Sequence, residues 1–297
     1  MVIPRMQVDE IITDVSQVHR LLEDQFPQWA DLAIRPVPSS GTDNALYRLG
    51  EDMVIRMPRR PGMEGVIERE QRWLPQLAPH LPVQIPEPLG MGQPGEGYPY
   101  RWSVYRWLDG SNPAVGRIPD PHGLAREIAA FILAMQRVDL PDGPRSGLTL
   151  QQRDAQVRSD IEALRDEIDV DAVKAVWEEA LTLPEHPGPP VWVHSDVAPG
   201  NLLLREDHLY AVIDFSGVGV GDPSIDMQVA WNLLPAEARP TFRDALGVDD
   251  ATWYRARARA LAQALVQIPY YKHTNIPLAT NARHVIREVL TEARQGG

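Results

Sequence analysis

The segment VHSDVAPGNLLLREDHLYAVIDFSGVGVGDPSIDM, residues 193–227, decides how the rest of the chain is read. It opens as a short polar loop carrying His194, Asp196 and Asn201, then closes on an apolar run at 202–204. NLLLREDHLYAVIDF (201–215) reads as a hairpin. Asn201 begins its first strand and Asp214 ends its second. In an antiparallel pair those two ends lie together. Two hard oxygen ligands there, with room for phosphate oxygens and water, suit Mg²⁺. Asp196, at the head of the same loop, can accept the proton of a substrate hydroxyl. Each residue alone has an ordinary explanation, an Asp capping a turn or an Asn within one. Order, spacing and hairpin together favour the chemical reading.

Outward from this segment, the second half of the chain is mostly helical. GLAREIAAFILAMQRVD (123–139) has an apolar face at helical spacing, and the charged stretch 150–181 reads as two helices. Beyond the segment, SIDMQVAWNLL, WYRARARALAQALVQIPYYK and NARHVIREVLTEAR read as further helices. The front half differs. After a helical stretch at 8–30, ALYRLG and MVIRM are short apolar segments around GED, a second hairpin signal. WSVYRWL (102–108) reads as a strand whose exit at Asp109-Gly110 marks the domain boundary. The expected domains are therefore residues 1–108 and 109–297.

The front half supplies what phosphoryl transfer needs, a cation and backbone N–H groups around phosphates. SSGTDN (39–44), just before the hairpin, can turn its amides toward an anion, which makes Ser40, Thr42 and Asn44 candidate nucleotide-binding positions. Arg56 sits in an apolar strand and needs a partner there. The next helix offers Glu68 and Glu70. A strand cation tethered by a helix carboxylate is aimed at phosphates.

Bulk composition narrows the class. The formal charge is −12, from 29 basic and 41 acidic residues. An acidic field disfavours broad contact with nucleic acid and tolerates cationic small molecules. There are no cysteines, which removes disulfides, thiolate nucleophiles and Cys-ligated zinc. No stretch approaches the roughly 18 apolar residues of a membrane span, and no targeting segment stands out. A cytoplasmic protein without membrane or nucleic-acid partners is expected.

These pieces resemble the aminoglycoside phosphotransferase family, small-molecule antibiotic kinases of the kinase-like fold. The resemblance runs from about Ser39 to Trp231. HSDVAPGN resembles the family's H-G-D-x-x-x-x-N. IDFSGVGVGDPSIDM resembles its I-D-F/W…G-D-P-x-x-D, the more specific element. GTDNALYRLGEDMVIRMPRR resembles the nucleotide-binding hairpin of bacterial members. The resemblance implies an α+β, bilobal protein-kinase-like fold, with a small antiparallel-sheet N-lobe and a mostly helical C-lobe. It implies transfer of the γ-phosphoryl of ATP or GTP, with Mg²⁺, to a hydroxyl of a small molecule, an aminoglycoside-type antibiotic first among them. By the same resemblance Asp196 is the catalytic base and Asn201 and Asp214 are the Mg²⁺ ligands. His194 and Asp226 support the loop, and Glu70 rather than Glu68 tethers Arg56. WSVYRWLDG becomes the hinge, with Tyr105 at a depth-limiting position and Arg106, Trp107 and Leu108 along the nucleotide. Asp222 is read more simply as an N-cap for the helical stretch behind it.

Two residues depart from the family pattern. Ser195 stands where relatives have Gly, at a position whose backbone can be costly for a side chain. Arg56 stands where many relatives have Lys. If these silence turnover, the chain would be a nucleotide-binding pseudokinase. A protein kinase is disfavoured, because no A-P-E segment follows IDF. The acceptor is open between an aminoglycoside, a macrolide and a metabolite such as an amino alcohol or amino sugar. Candidate acceptor contacts are the acidic helix 154–171, with Asp160, Glu162, Asp166 and Glu167, and the stretch IPYYKHTN with Tyr270, Tyr271, His273 and Asn275.

Overall fold

The computed structural model describes residues 10–38 and 43–295. The chain divides into two compact units. One comprises Met1–Pro79, Gln84–Gly110 and Ala211–Ser216; the other comprises His80–Val83, Ser111–Tyr210 and Gly217–Gly297. The fold is α+β, a small antiparallel sheet in the first unit and mostly helix in the second.

The first unit holds α1 (Val15–Gln25), β1 (Ile34–Pro36), β2 (Asn44–Leu49), β3 (Met53–Pro58), α2 (Glu64–Leu77), β4 (Pro88–Gly92) and β5 (Trp102–Arg106). The strands form one sheet in the order β1-β2-β3-β5-β4, every pair antiparallel. The expected hairpin is β2–β3, paired from Leu49 opposite Met53 to Asn44 opposite Pro58. Gly50 opens its three-residue turn at φ +58°, a conformation open to glycine at little cost. Ala45, Tyr47 and Leu49 alternate inward along β2, as a strand with one buried face requires. They pack with Ile55, Met57, Trp102 and Val104 against Val18, Leu21 and Leu22 of α1. Inside this core the Tyr47 hydroxyl lies 2.8 Å from that of Thr13. β1 and β4 are the sheet edges, and each carries a proline, which edge strands tolerate. Pro75 lies in the last turn of α2, where a 3₁₀ turn takes over at Ala78–His80.

The second unit holds α3 (Pro121–Gln136), α4 (Leu150–Ala163), α5 (Val170–Leu181), β6 (Val191–Val193) and β7 (Leu202–Arg205). β8 (His208–Val212) pairs with β7 and carries the chain into the first unit at Ala211. There follow β9 (Gly219–Gly221), α6 (Val229–Asn232), α7 (Arg239–Leu246), α8 (Asp250–Tyr271) and α9 (Ile276–Gln295). Short polar residues start the helices. Asp120, Thr149, Asp169 and Asp249 each accept a first-turn backbone N–H of α3, α4, α5 and α8. α8 packs against α4, α5 and α9 and is buried on nearly every side, which its alanines permit. The acidic stretch expected as a helix at 154–171 is interrupted. α4 ends at Ala163, and Asp169 caps a new helix, because the Asp side chain competes for backbone N–H groups better at a helix start than inside one.

Candidate active site

The loop after β6 is built on a strand pair that leaves no room for side chains opposite it. β6 pairs with β9, Val193 opposite Gly219. A Cβ at Gly219 would lie 2.2 Å from the Pro144 carbonyl oxygen, and one at Gly221 would lie 2.5 Å from that of Ser146. Two glycines of the GVGVG stretch are therefore demanded by the backbone at 144–146, which bridges to Val220.

His194 follows β6 and is fully buried, its ring edge-on to Phe131 with centroids 6.2 Å apart. Its Nδ1 accepts the Asp196 N–H at 3.2 Å. Asp226 fastens the loop from behind. Its Oδ2 accepts the His194 N–H at 2.8 Å and its Oδ1 accepts the Ser195 N–H at 2.6 Å. Asp226 is fully buried, and burial pushes its carboxyl up to about 7 against the pull of those two N–H groups; the nearby Asp196 adds to the rise. Between the two, Ser195 adopts φ +73°. The Asn201 amide donates to the Asp196 carbonyl at 2.9 Å and to its Oδ2 at 2.8 Å. Two further amides hold the loop. Asn112 donates to the carbonyls of Gly200 (3.0 Å) and Leu202 (2.8 Å), and Asn232 donates to that of Val197 (3.2 Å). Neither stands out in the sequence, since Asn112 in its loop and Asn232 at the end of α6 have no motif around them.

Asp226 is positioned by a 3₁₀ turn, Pro223–Gln228, capped by Asp222. The Asp222 Oδ1 accepts the Ser224 N–H at 2.9 Å. Its Oδ2 accepts from Arg255 at 3.1 Å and Arg259 at 3.3 Å, two buried arginines of α8. Burial would raise the Asp222 carboxyl, but Arg259, the Ser224 N–H and Arg255 hold it below its ordinary value. Asp222 is thus a cap and a counter-ion. A cap signal is visible in sequence; arginines 33 and 37 residues later are not.

A second cluster lies in the first unit. Arg56 on β3 is nearly buried and Glu70 on α2 is fully so. Arg56 Nη1 donates to both Glu70 oxygens, at 2.8 and 2.9 Å. Its Nη2 donates to Asp214 Oδ1 at 3.1 Å. Burial alone would lower the guanidinium pKa, but Glu70 and Asp214 raise it well above its ordinary value. Glu68 instead pairs with Arg101 on the exposed side. Asp214 lies two residues past the end of β8 rather than within it, at φ +63°, and its Oδ1 also accepts the Ser216 N–H at 3.4 Å. The segment carrying it joins this unit where Val212 N–H donates to the Gln84 carbonyl at 3.0 Å. Tyr105 on β5 is buried; its hydroxyl donates to Glu70 Oε2 at 2.5 Å, and its ring lies 5.7 Å from the Arg56 guanidinium carbon.

The other expected positions are dispersed. Asn44 begins β2 and is half-buried. The Arg106 side chain is exposed and pairs with Asp52 and Glu87, each at 3.1 Å. Trp107 donates its indole N–H to Asp109 and lies under Arg48, 4.1 Å from the ring centroid. Leu108 is half-buried. Ser40 and Thr42 lie outside the described residues. Of the acceptor candidates, Glu167 is taken by Lys272 (3.2 Å) and Arg283 (2.9 Å), and Glu162 by Arg165 at 2.7 Å. Asp160 is nearly buried, with Gln156 on one oxygen at 2.9 Å.

The sequence profile of the phosphotransferase enzyme family (APH) matches residues 34–285. The chain belongs to this family. As a phosphotransferase it is an enzyme of the kinase type. No curated protein matches it by sequence. Among solved structures, the GDP complex of wild-type aminoglycoside 2'-phosphotransferase-IIIa is 17% identical with a TM-score of 0.73, covering 95% of this chain and 100% of that one. The gentamicin complex of APH(2")-IIa is 18% identical with a TM-score of 0.64, covering 93% and 99%. Macrolide 2'-phosphotransferase MphH from Brachybacterium faecium is 21% identical with a TM-score of 0.63, covering 93% and 97%. At these identities the similarity establishes that the phosphotransferase shares their kinase-like fold. Among its described residues no helix is long and apolar enough to cross a membrane.

Proposed function

We propose that this phosphotransferase moves the γ-phosphoryl group of ATP or GTP to a hydroxyl of an aminoglycoside-type acceptor, with Asp196 as the base. The observation that carries the reading is the double fastening of Asp196. Its backbone is tied through His194 and through the Asp226 clamp on the preceding residues, and its carboxylate is tied through Asn201. Phosphoryl transfer needs little covalent work from the protein and much positioning, so a base held this way is what the chemistry requires. Asp196 takes the proton as the acceptor oxygen bonds to the γ-phosphorus. The bond from that phosphorus to the bridging oxygen breaks, and the nucleoside diphosphate leaves.

The residues fit Mg²⁺. No group of three or more His, Asp or Glu gathers for a metal among the described residues. Mg²⁺ needs no such cluster: it is usually bound through one or two protein oxygens and would take phosphate oxygens and water for the rest of its shell. Asn201 spends its amide N–H₂ on Asp196, which presents Oδ1 as its metal-binding atom. Asp214 carries the carboxylate. We assign these two as the ligands, eighteen residues separating Asp196 from Asp214 in the chain. Bound there, the ion neutralises charge on the transferred phosphoryl. Arg56 contributes its own positive charge beside Asp214, and the strand and loop around Asn44, Tyr105, Arg106, Trp107 and Leu108 receive the nucleotide.

The net charge of −12 supports a polycationic acceptor. The likeness to MphH, whose name records macrolides, supports a macrolide as the second reading. The test is Mg²⁺-dependent nucleotide turnover against aminoglycosides, macrolides and amino alcohols, with Asp196→Asn in parallel. Acceptor-dependent turnover is expected, lowered by about 10²–10⁴-fold in the variant, the usual worth of a general base. A variant as fast as the parent would overturn the assignment of Asp196.

A further inference from the structure

The contact between Arg56 and Glu70 has an unusual form. A guanidinium and a carboxylate normally meet as two forks, one N–H from each of two nitrogens on each oxygen. Here both Glu70 oxygens rest on the single nitrogen Nη1. The other terminal nitrogen, Nη2, goes to Asp214. A lysine would raise no such question, because its ammonium is one point charge and any carboxylate geometry serves it. An arginine has two termini to share, and the pairing that uses both on Glu70 is the stronger one available to a buried carboxylate.

What holds the one-sided geometry is Tyr105. Its hydroxyl donates to Glu70 Oε2 from the neighbouring strand β5, 2.5 Å away. Its ring lies beside the guanidinium, 5.7 Å from ring centroid to Cζ. Tyr105 therefore touches both members of the pair and anchors the oxygen that would otherwise swing across to Nη2. Burial and the adjacent Glu70 charge keep the phenol well above its ordinary pKa, so it stays a donor. The backbone fixes Tyr105 too, since β5 pairs with β3 and sets Val54 opposite Tyr105 and Arg56 opposite Ser103.

We propose that Tyr105 is a positioning residue made necessary by arginine at 56: its hydroxyl pins Glu70 to Nη1 and so keeps Nη2 directed at Asp214 and the nucleotide phosphates. The proposal rests on the kinase reading above for the role of Arg56. It goes beyond a depth-limiting tyrosine in the nucleotide pocket, because the hydroxyl rather than the bulk does the work.

The experiment is a four-protein cycle of the parent, Tyr105→Phe, Arg56→Lys and the double variant, with kcat, KM for the nucleotide and melting temperature measured on each. Phe keeps the ring and removes only the hydroxyl. In the arginine background Tyr105→Phe should lower kcat about tenfold, the scale of one hydrogen bond to a charged group. In the lysine background the same change should alter kcat less than about twofold, since an ammonium cannot fork. A loss of melting temperature common to both backgrounds is the structural cost of a buried carboxylate losing a donor and does not bear on the split. Should Arg56→Lys not turn over, the cycle is read on the dissociation constant of Mg²⁺-ADP, with the same pattern expected. Equal losses in the two backgrounds, or no loss with arginine, overturn the proposal. A parent without turnover, or an Asp196→Asn variant that matches it, would instead sink the kinase reading.

Discussion

Ser195 sits at φ +73° between His194, buried in the core, and Asp196 at the exposed head of the loop. The left-handed region costs a residue with a Cβ about 1–2 kcal/mol, which glycine avoids. Glycine returns part of that through its larger unfolded-state entropy, about 0.5–1 kcal/mol. Ser195→Gly should therefore be neutral or stabilising by up to about 1 kcal/mol, while Ser195→Val, branched at Cβ, should destabilise by about 2 kcal/mol or more. Urea unfolding of the three proteins checks the order Gly, Ser, Val. Valine as stable as serine would mean that the loop relaxes out of this conformation.

At the scale of elements, the 3₁₀ turn at Pro223–Gln228 is a clasp on the loop that follows β6, and its grip is a single buried carboxylate. Asp226 titrates near 7 in the folded protein and near 3.8 when unfolded. Between those values the native state binds the extra proton. Stability from this group is complete below 3.8 and is lost as pH rises through about 7. Carboxylates held low, such as Asp222 and Glu167, act in the opposite sense at lower pH, so the total curve mixes the two. The difference isolates Asp226. Wild-type stability minus that of Asp226→Asn should fall as pH rises from 5 to 8, read from unfolding midpoints across that range. A flat difference would show that the carboxylate is ionised throughout and paid for by its two N–H donors.

Across the whole molecule, the acidic charge makes a statement about encounter rather than chemistry. If the acceptor is a polycation, raising the ionic strength from 0.05 to 0.5 M should lower kcat/KM severalfold and leave kcat nearly unchanged, because screening shortens to about 10 Å or less. A salt-insensitive KM would favour the macrolide reading, in which one amine meets an apolar pocket.

The fold was largely legible in the sequence, and the gaps have physical causes. The β2–β3 hairpin announces itself by apolar runs around a glycine turn, and β5 by WSVYR. β1 and β4 do not, since Pro36 and Pro88 read as breakers and are tolerated only because the strands are edges. The charged stretch 150–181 reads as two helices and is two, α4 and α5, but the place of the break inside 154–171 hides among good helix formers. In the candidate site, the sequence carries register but not facing. The helix α2 offers Glu68 and Glu70 to Arg56, and only packing sends one outward to Arg101. The Tyr105 hydroxyl, the Asn112 amide and the arginines behind Asp222 are contacts between distant positions, for which one sequence holds no signal.

The division of the chain has a consequence for its synthesis. The first unit is assembled from Met1–Pro79, Gln84–Gly110 and, a hundred residues later, Ala211–Ser216. On the ribosome, at about 5–20 residues per second, the early segments wait roughly 5–20 s for the late one. During that interval Arg56 and Glu70 can already face each other, with nothing yet to claim the second guanidinium nitrogen. The fork is thus open to the nascent chain before Asp214 exists, and Tyr105, translated well before Asp214, is present in time to oppose it.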